Sequence, residues 1–175
     1  MTHRSPALPL RDHGSTGSGD GPFGRLPEWD LGDLYAGLDD PRVAADLEAG
    51  IERCRAFEAA AKGRLAGIAA AGDGAALAAL VAEYEAIQDL LGRVGSFAGL
   101  TYAGDTSDPR RAKFYGDTQD KITRASTHLL FFELELNRID DAGVDALIAG
   151  HAGLAHWKPW LEDIRKEKPH QLSDE

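Results

Sequence analysis

Two histidines near the C-terminal end, His151 and His156, are the first residues whose type and spacing invite a metal reading. Five residues on a helix turn through roughly 140°, so the pair does not share a face. A zinc-binding H-E-x-x-H needs a spacing of four and a glutamate after the first histidine, whereas Ala152 follows His151. The pair reads as solvated loop histidines. His128, flanked by Thr127, Leu129 and Leu130, reads as a hydrogen-bonded core or boundary residue. Cys54 lies on an apolar stripe and reads as a small hydrophobe rather than a nucleophile.

Glu133 and Glu135 would be a carboxylate pair, but residues two apart on a helix do not face one another. Each is expected to be solvated or to meet a cation from another helix. The Gly-rich pieces "GSTGSGDG" and "GDG" lack the strand and the lysine of a phosphate loop, so neither is read as a nucleotide site. The mixed-sign run "RKEK" reads as a solvated helix end. Tyr84, Tyr102 and Tyr115 are the best candidates for a ligand-facing surface, because a phenol can line a groove and still hydrogen-bond. Structural packing is the favoured role for each. The residues themselves thus supply no catalytic group, no metal ligand and no assigned substrate contact.

The elements that must position these side chains are helical. The apolar content is mostly Ala and Leu, and nothing alternates with the period of two that strands require. Residues 1–24, rich in Gly, Ser and Pro, are expected to be a disordered tail, and residues 25–175 a helical region. "LPEWDLGDLYAGL" is too apolar for a free linker and is expected to lie against the domain. Asp40 caps a first helix over about 41–70, with Pro41 at its first position. Glu58 is the exception in its apolar row.

A second helix is predicted over about 75–103 and contains Gly92, Gly95 and Gly99. Each glycine costs up to ~1 kcal/mol against alanine, so close approach of another backbone at Gly95 and Gly99 is the expected compensation. A second Asp-Pro start, Asp108–Pro109, opens a third helix to about 138, whose "HLLFFELEL" stretch should be deeply buried. A short helix from Asp140 or Asp141 to about 149 and a last segment from about 154 follow. The expected fold is an all-α, elongated array of long antiparallel helices with shorter C-terminal helices.

The 175 residues carry 29 acidic and 19 basic side chains, a net charge of −10, and a single cysteine. Such an acidic surface argues against nucleic acid and anionic membrane as partners. Internal disulfides and multi-cysteine metal sites are excluded. No run of about 18 apolar residues exists to span a bilayer, and the N-terminus has no apolar signal core. A cytoplasmic place is expected.

Four stretches together resemble a known family. "LPEWDLGDLY", "YEAIQDLLGRVGSFAGLTYAGDTSDP", "KFYGDTQDKITRASTHLLFFELELNRID" and "WLEDIRKEKPHQLSDE" are similar to the N-terminal part of oligoendopeptidase F. The resemblance runs from about Leu26 to Glu175. These are mostly helical bacterial zinc oligopeptidases related to thimet oligopeptidase. The resemblance implies a parent enzyme that hydrolyses short peptides in a channel between two helical lobes. Its zinc is held by the two histidines of H-E-x-x-H and a distant glutamate, and the glutamate within the motif activates water.

None of the six histidines here (His3, His13, His128, His151, His156 and His170) is followed by glutamate. No catalytic or zinc position of the family therefore transfers to this sequence. The resemblance implies a non-catalytic N-terminal lobe that walls the channel, with zinc belonging to the full-length enzyme. The remainder of the peptidase chain is its expected partner. Beyond Pro169, Ser173 with Asp174 and Glu175 is written like the opening of a further helix, as expected for a chain cut before a catalytic domain. A free-standing helical interaction module is the alternative reading.

Overall fold

The computed structural model describes residues 29–171. The expected tail over 1–24 and the helix opening at Ser173 lie outside them. Among the described residues the chain is all-α, in the order α1 (Pro41–Ala61), α2 (Leu65–Ala71), α3 (Gly74–Gly104), α4 (Pro109–Ser126), α5 (Leu130–Arg138), α6 (Asp141–Gly150) and α7 (Lys158–Lys166). Short 3₁₀ turns at Ala152–Trp157 and Lys168–His170 flank α7.

Both Asp-Pro starts form as the sequence writes them. The Asp40 carboxylate accepts from the Arg42 and Ala36 backbone N–H groups, each at 2.9 Å. Asp108 accepts from Arg110 N–H at 2.7 Å. Asp73 caps α3 through Ala76 N–H at 2.9 Å, and Asp140 caps α6 through Gly143 N–H at 2.6 Å. Each cap satisfies a donor that has no partner within the helix.

Two of the predicted long helices are each two helices. The first breaks at Lys62–Arg64, where Gly63 takes φ +79°, a left-handed conformation that favours glycine. The third breaks at Thr127–Leu129. There the Ser126 hydroxyl donates back to Ile122 O at 2.9 Å and the Thr127 hydroxyl to Arg124 O at 2.7 Å, in competition with the backbone ladder. The last segment also differs from a helix starting at 154, since it begins as a 3₁₀ turn and becomes α-helical only at Lys158.

Helices α1, α3 and α4 form the frame. Asp46, Gly50 and Arg53 of α1 face Arg93, Leu91 and Glu83 of α3. Rising numbers on one helix meet falling numbers on the other, so the pair is antiparallel. Gly95, Gly99 and Gly104 likewise meet Ile122, Tyr115 and Arg111, which makes α3 and α4 antiparallel. What lies over Gly95 and Gly99, however, is side chain. A Cβ at Gly95 would sit 3.4 Å from Ile122 Cδ1 and one at Gly99 3.8 Å from Tyr115 Cε2. The tight approach falls at Gly50, where a Cβ would be 2.5 Å from Leu91 Cδ2.

The core fills the seams between these helices. Phe57, Tyr84, Phe131 and Phe132 form an aromatic cluster with contacting ring centroids 5.0–6.2 Å apart. Tyr35, from the segment before α1, is buried against Phe97 at 5.1 Å, with its hydroxyl donating to Asp46 at 2.9 Å. That segment therefore does lie against the domain, although its Trp29 is 72% exposed. The "HLLFFELEL" stretch is buried on one side only. Leu129, Phe131, Phe132 and Leu136 are in the core, while Leu130 is 63% and Leu134 40% exposed.

Candidate functional site

Tyr84 and Glu133, 49 residues apart in the chain, are brought into one hydrogen bond. The Tyr84 hydroxyl donates to Glu133 Oε1 at 2.8 Å and accepts from Gln88 Nε2 at 3.0 Å. Tyr84 sits on α3 because Leu77, Val81, Tyr84, Ile87 and Leu91 repeat at the three–four spacing that faces the core. Gln88 follows one turn later on the same face. Glu133 is supplied by α5, whose break from α4 resets its direction. Trp160 of α7 closes the site with its ring centroid 5.7 Å from that of Tyr84. Burial, then hydrogen bonding to and the charge of Glu133, raise the Tyr84 phenol well above the ordinary tyrosine range. It is a locked donor there, not an acid at neutral pH.

The cluster opens onto a groove of about 310 Å³ that Trp157 of the 3₁₀ turn and Glu85 and Asp89 of α3 also line. Trp157 Nε1 is buried without a hydrogen-bond partner among the described residues. A larger hollow of about 560 Å³ lies between the segment before α1 and the end of α3, lined by Trp29, Tyr35, Phe97 and Arg111.

The other sequence candidates go to separate places. Tyr102 and Tyr115 stack on each other between α3 and α4, centroids 5.1 Å apart and rings 2° from parallel. Glu135 does not meet Glu133: its Oε1 accepts from Gly63 N–H at 2.7 Å, tying α5 to the α1–α2 turn. His128 Nδ1 lies 2.5 Å from Glu58 Oε2, and Lys62 Nζ donates to Glu58 Oε1 at 2.7 Å. Hydrogen bonding to His128 and then Lys62 lowers the Glu58 carboxyl below its ordinary range. Glu58, the exception in the apolar row, is thus the anchor between α1 and the α4–α5 turn. Cys54 is fully buried, and burial raises its thiol, which suppresses the reactive thiolate.

His151 packs over Gly74 and Gly153, whereas His156 is exposed and meets the Trp157 ring edge-on at 5.3 Å. Among the described residues no group of three His, Cys, Asp or Glu side chains could hold a metal ion.

Sequence reasoning missed Trp157, Trp160, Gln88 and Arg165. The "RKEK" run is not simply a solvated end. The Arg165 side chain is 12% exposed, pairs with Asp141, and donates to Leu136 O at 3.1 Å and Ile139 O at 2.8 Å. It satisfies carbonyls left over at the end of α5 and ties them to the start of α6. Asn137 Nδ2 adds a bond to Ile164 O at 3.2 Å. The spacing of "DD" to "RK" held the available signal, since opposite charges stand at two adjoining helix ends.

The Arg165 staple lies inside the stretch that comparison with known families picks out. The family model described as Oligopeptidase F matches residues 135–175. The match supports an N-terminal region of oligoendopeptidase F, and so of a peptidase. No curated protein and no solved structure matches the chain. Among the described residues no helix is long and apolar enough to cross a membrane.

Proposed function

We propose that residues 25–175 are the non-catalytic, helical N-terminal lobe of a zinc-dependent oligoendopeptidase that hydrolyses short peptides in the cytoplasm. In this reading the lobe forms part of the substrate-channel wall, and its partner is the catalytic lobe, which supplies H-E-x-x-H and the zinc. The observation that carries it is the family match over 135–175. The described part of that stretch, 135–171, holds one interlocked unit, the end of α5 joined to α6 and α7 through Arg165. The upstream stretches that resemble the same family support it. Leu130 and Leu134, one turn apart and exposed on α5, fit a face that a further lobe would cover.

The test is reconstitution. The 175-residue protein is mixed with a catalytic lobe of an oligoendopeptidase and assayed on a quenched fluorescent peptide. The expected result is no chelator-sensitive cleavage by this chain alone and more cleavage by the mixture than by the catalytic lobe alone. Chelator-sensitive cleavage by this chain alone, or no gain on mixing, rejects the reading.

A further inference from the structure

Gln171, the last described residue, stands on the rim of a hollow of about 350 Å³ between α5 and the end of α7. Leu134 of α5, 40% exposed, and Ile164 of α7 form its apolar part. Asn137 lines it as well and is only 6% exposed. The Asn137 Nδ2 group donates to Ile164 O at 3.2 Å, while Oδ1 is buried with no hydrogen-bond partner among the described residues. A buried acceptor is costly to leave unpaired. An apolar cover for Leu134 and a donor for Asn137 are what a short stretch of chain supplies together, one from a side chain and one from its backbone.

We infer that this hollow is the seat of the chain's own next residues. The Leu172 side chain covers Leu134 and Ile164, and a backbone N–H of Leu172 or Ser173 donates to Asn137 Oδ1. Gln171 closes the 3₁₀ turn Lys168–His170 through its N–H to Lys168 O at 3.4 Å, then takes an extended ψ of 127°. Leu172 therefore begins one residue, ~3.8 Å between Cα atoms, from the rim. It is the one apolar side chain in residues 172–175. Its tether gives it an effective concentration on the order of millimolar, which a free peptide or a second copy does not have. Leu130, a turn earlier on α5, does not line the hollow and is not part of the seat. Seating Leu172 sets the direction in which Ser173, written as a helix cap, opens the following helix. The inference rests on α5, α7 and the residues after Gln171, and stands independently of the peptidase reading.

Nuclear magnetic resonance of the full 175-residue protein with labelled leucine and isoleucine methyl groups tests it. The expected result is Overhauser contacts from the Leu172 methyls to those of Leu134 and Ile164. The amide of Leu172 or Ser173 should also exchange with solvent about tenfold more slowly than in an unstructured peptide. L172A should raise the unfolding equilibrium constant about fivefold, as for a half-buried leucine that loses its apolar cover. L172M, of similar volume, should recover most of that loss. No contact from Leu172 to Leu134 or Ile164, both amides exchanging at the peptide rate, or L172A as stable as the unsubstituted protein overturns the inference. Contacts that appear only as protein concentration rises assign the hollow to a second copy and overturn it too.

Discussion

Alanine in place of glycine on α1 and α3 measures where the helices touch. In an exposed helix interior the exchange gains up to ~1 kcal/mol from backbone entropy and propensity. At Gly92 a Cβ meets nothing within 4 Å, so G92A should stabilise by nearly all of that. At Gly99 the nearest atom is 3.8 Å away, an ordinary contact, and G99A should stabilise almost as much. Gly50 is different: a Cβ there would lie 2.5 Å from Leu91 Cδ2 and 3.0 Å from Leu91 Cγ. Rotating the Leu91 tip relieves the first overlap but not the second, and Leu91 is 2% exposed with core on every side. Overpacking of this kind costs about 1–3 kcal/mol, so after the helical gain G50A should be destabilised by up to about 2 kcal/mol. Urea unfolding followed by far-UV circular dichroism reads all three, and thermal midpoints should move about 2–4 °C per kcal/mol. If G50A is as stable as G92A, the close α1–α3 approach at Leu91 is wrong. If G92A or G99A loses more than about 1 kcal/mol, an unseen contact covers α3 there.

Three further outcomes follow from the caps and the titrating groups. D40A and D108A should each destabilise by about 1 kcal/mol in the same urea assay, because each carboxylate satisfies backbone N–H groups at a helix start. Tyr35 is pushed from 10.0 to about 12, chiefly by burial and then by hydrogen bonding to Asp46, and Tyr84 is raised further in the same direction. A folded pKa above the unfolded one gives stability that is present below pH 10 and lost as pH rises through the folded value. Stability should therefore fall from about pH 10 upward, and the fall should be shallower in Y35F and Y84F. Carbon-detected titration should place the Glu58 carboxyl below the ordinary glutamate range, and H128A should move it back up, because the hydrogen bond to His128 is the largest cause of the lowering. An unchanged Glu58 titration in H128A would refute the Glu58–His128 link.

Local signals of the fold were legible wherever one residue decides one backbone position. The Asp-Pro pairs place the starts of α1 and α4, and α3 spans 74–104 against a prediction of 75–103. The breaks in the other two helices were hidden for a definite reason. Ala61, Leu65 and Ile68 keep the three–four spacing straight through the turn at Gly63, so the apolar stripe continues across a chain that has changed direction. Periodicity reports which face is buried, not whether the axis is continuous. The second break rests on Ser126 and Thr127 bonding back to carbonyls, a competition that helix propensity alone does not reveal.

The site was legible only in its parts. Tyr84 and Glu133 are legible as residue types, but their pairing needs α5 to be turned onto α3, and that turn is the break the stripe conceals. Glu133 and Glu135, two apart on α5, find different partners, the Tyr84 hydroxyl on α3 and the Gly63 amide in the turn after α1. Trp157 and Trp160 carried no signal of their own, because aromatics flanking Lys158–Pro159 read as a helix boundary. Their role depends on Arg165 and Asn137 holding α7 against α5 through backbone carbonyls, which any sequence supplies at every position. A disruptive change at Arg165 should therefore loosen the groove wall some distance away. R165M, which keeps most of the stem and removes the donors, should cost about 2–3 kcal/mol, because it leaves half-buried carbonyls unpaired and breaks the pair with Asp141. The same variant should also move the Trp160 indole signal. If R165M loses stability while the Trp160 signal stays in place, α7 is positioned by its Leu161 packing alone, and the staple does not shape the groove.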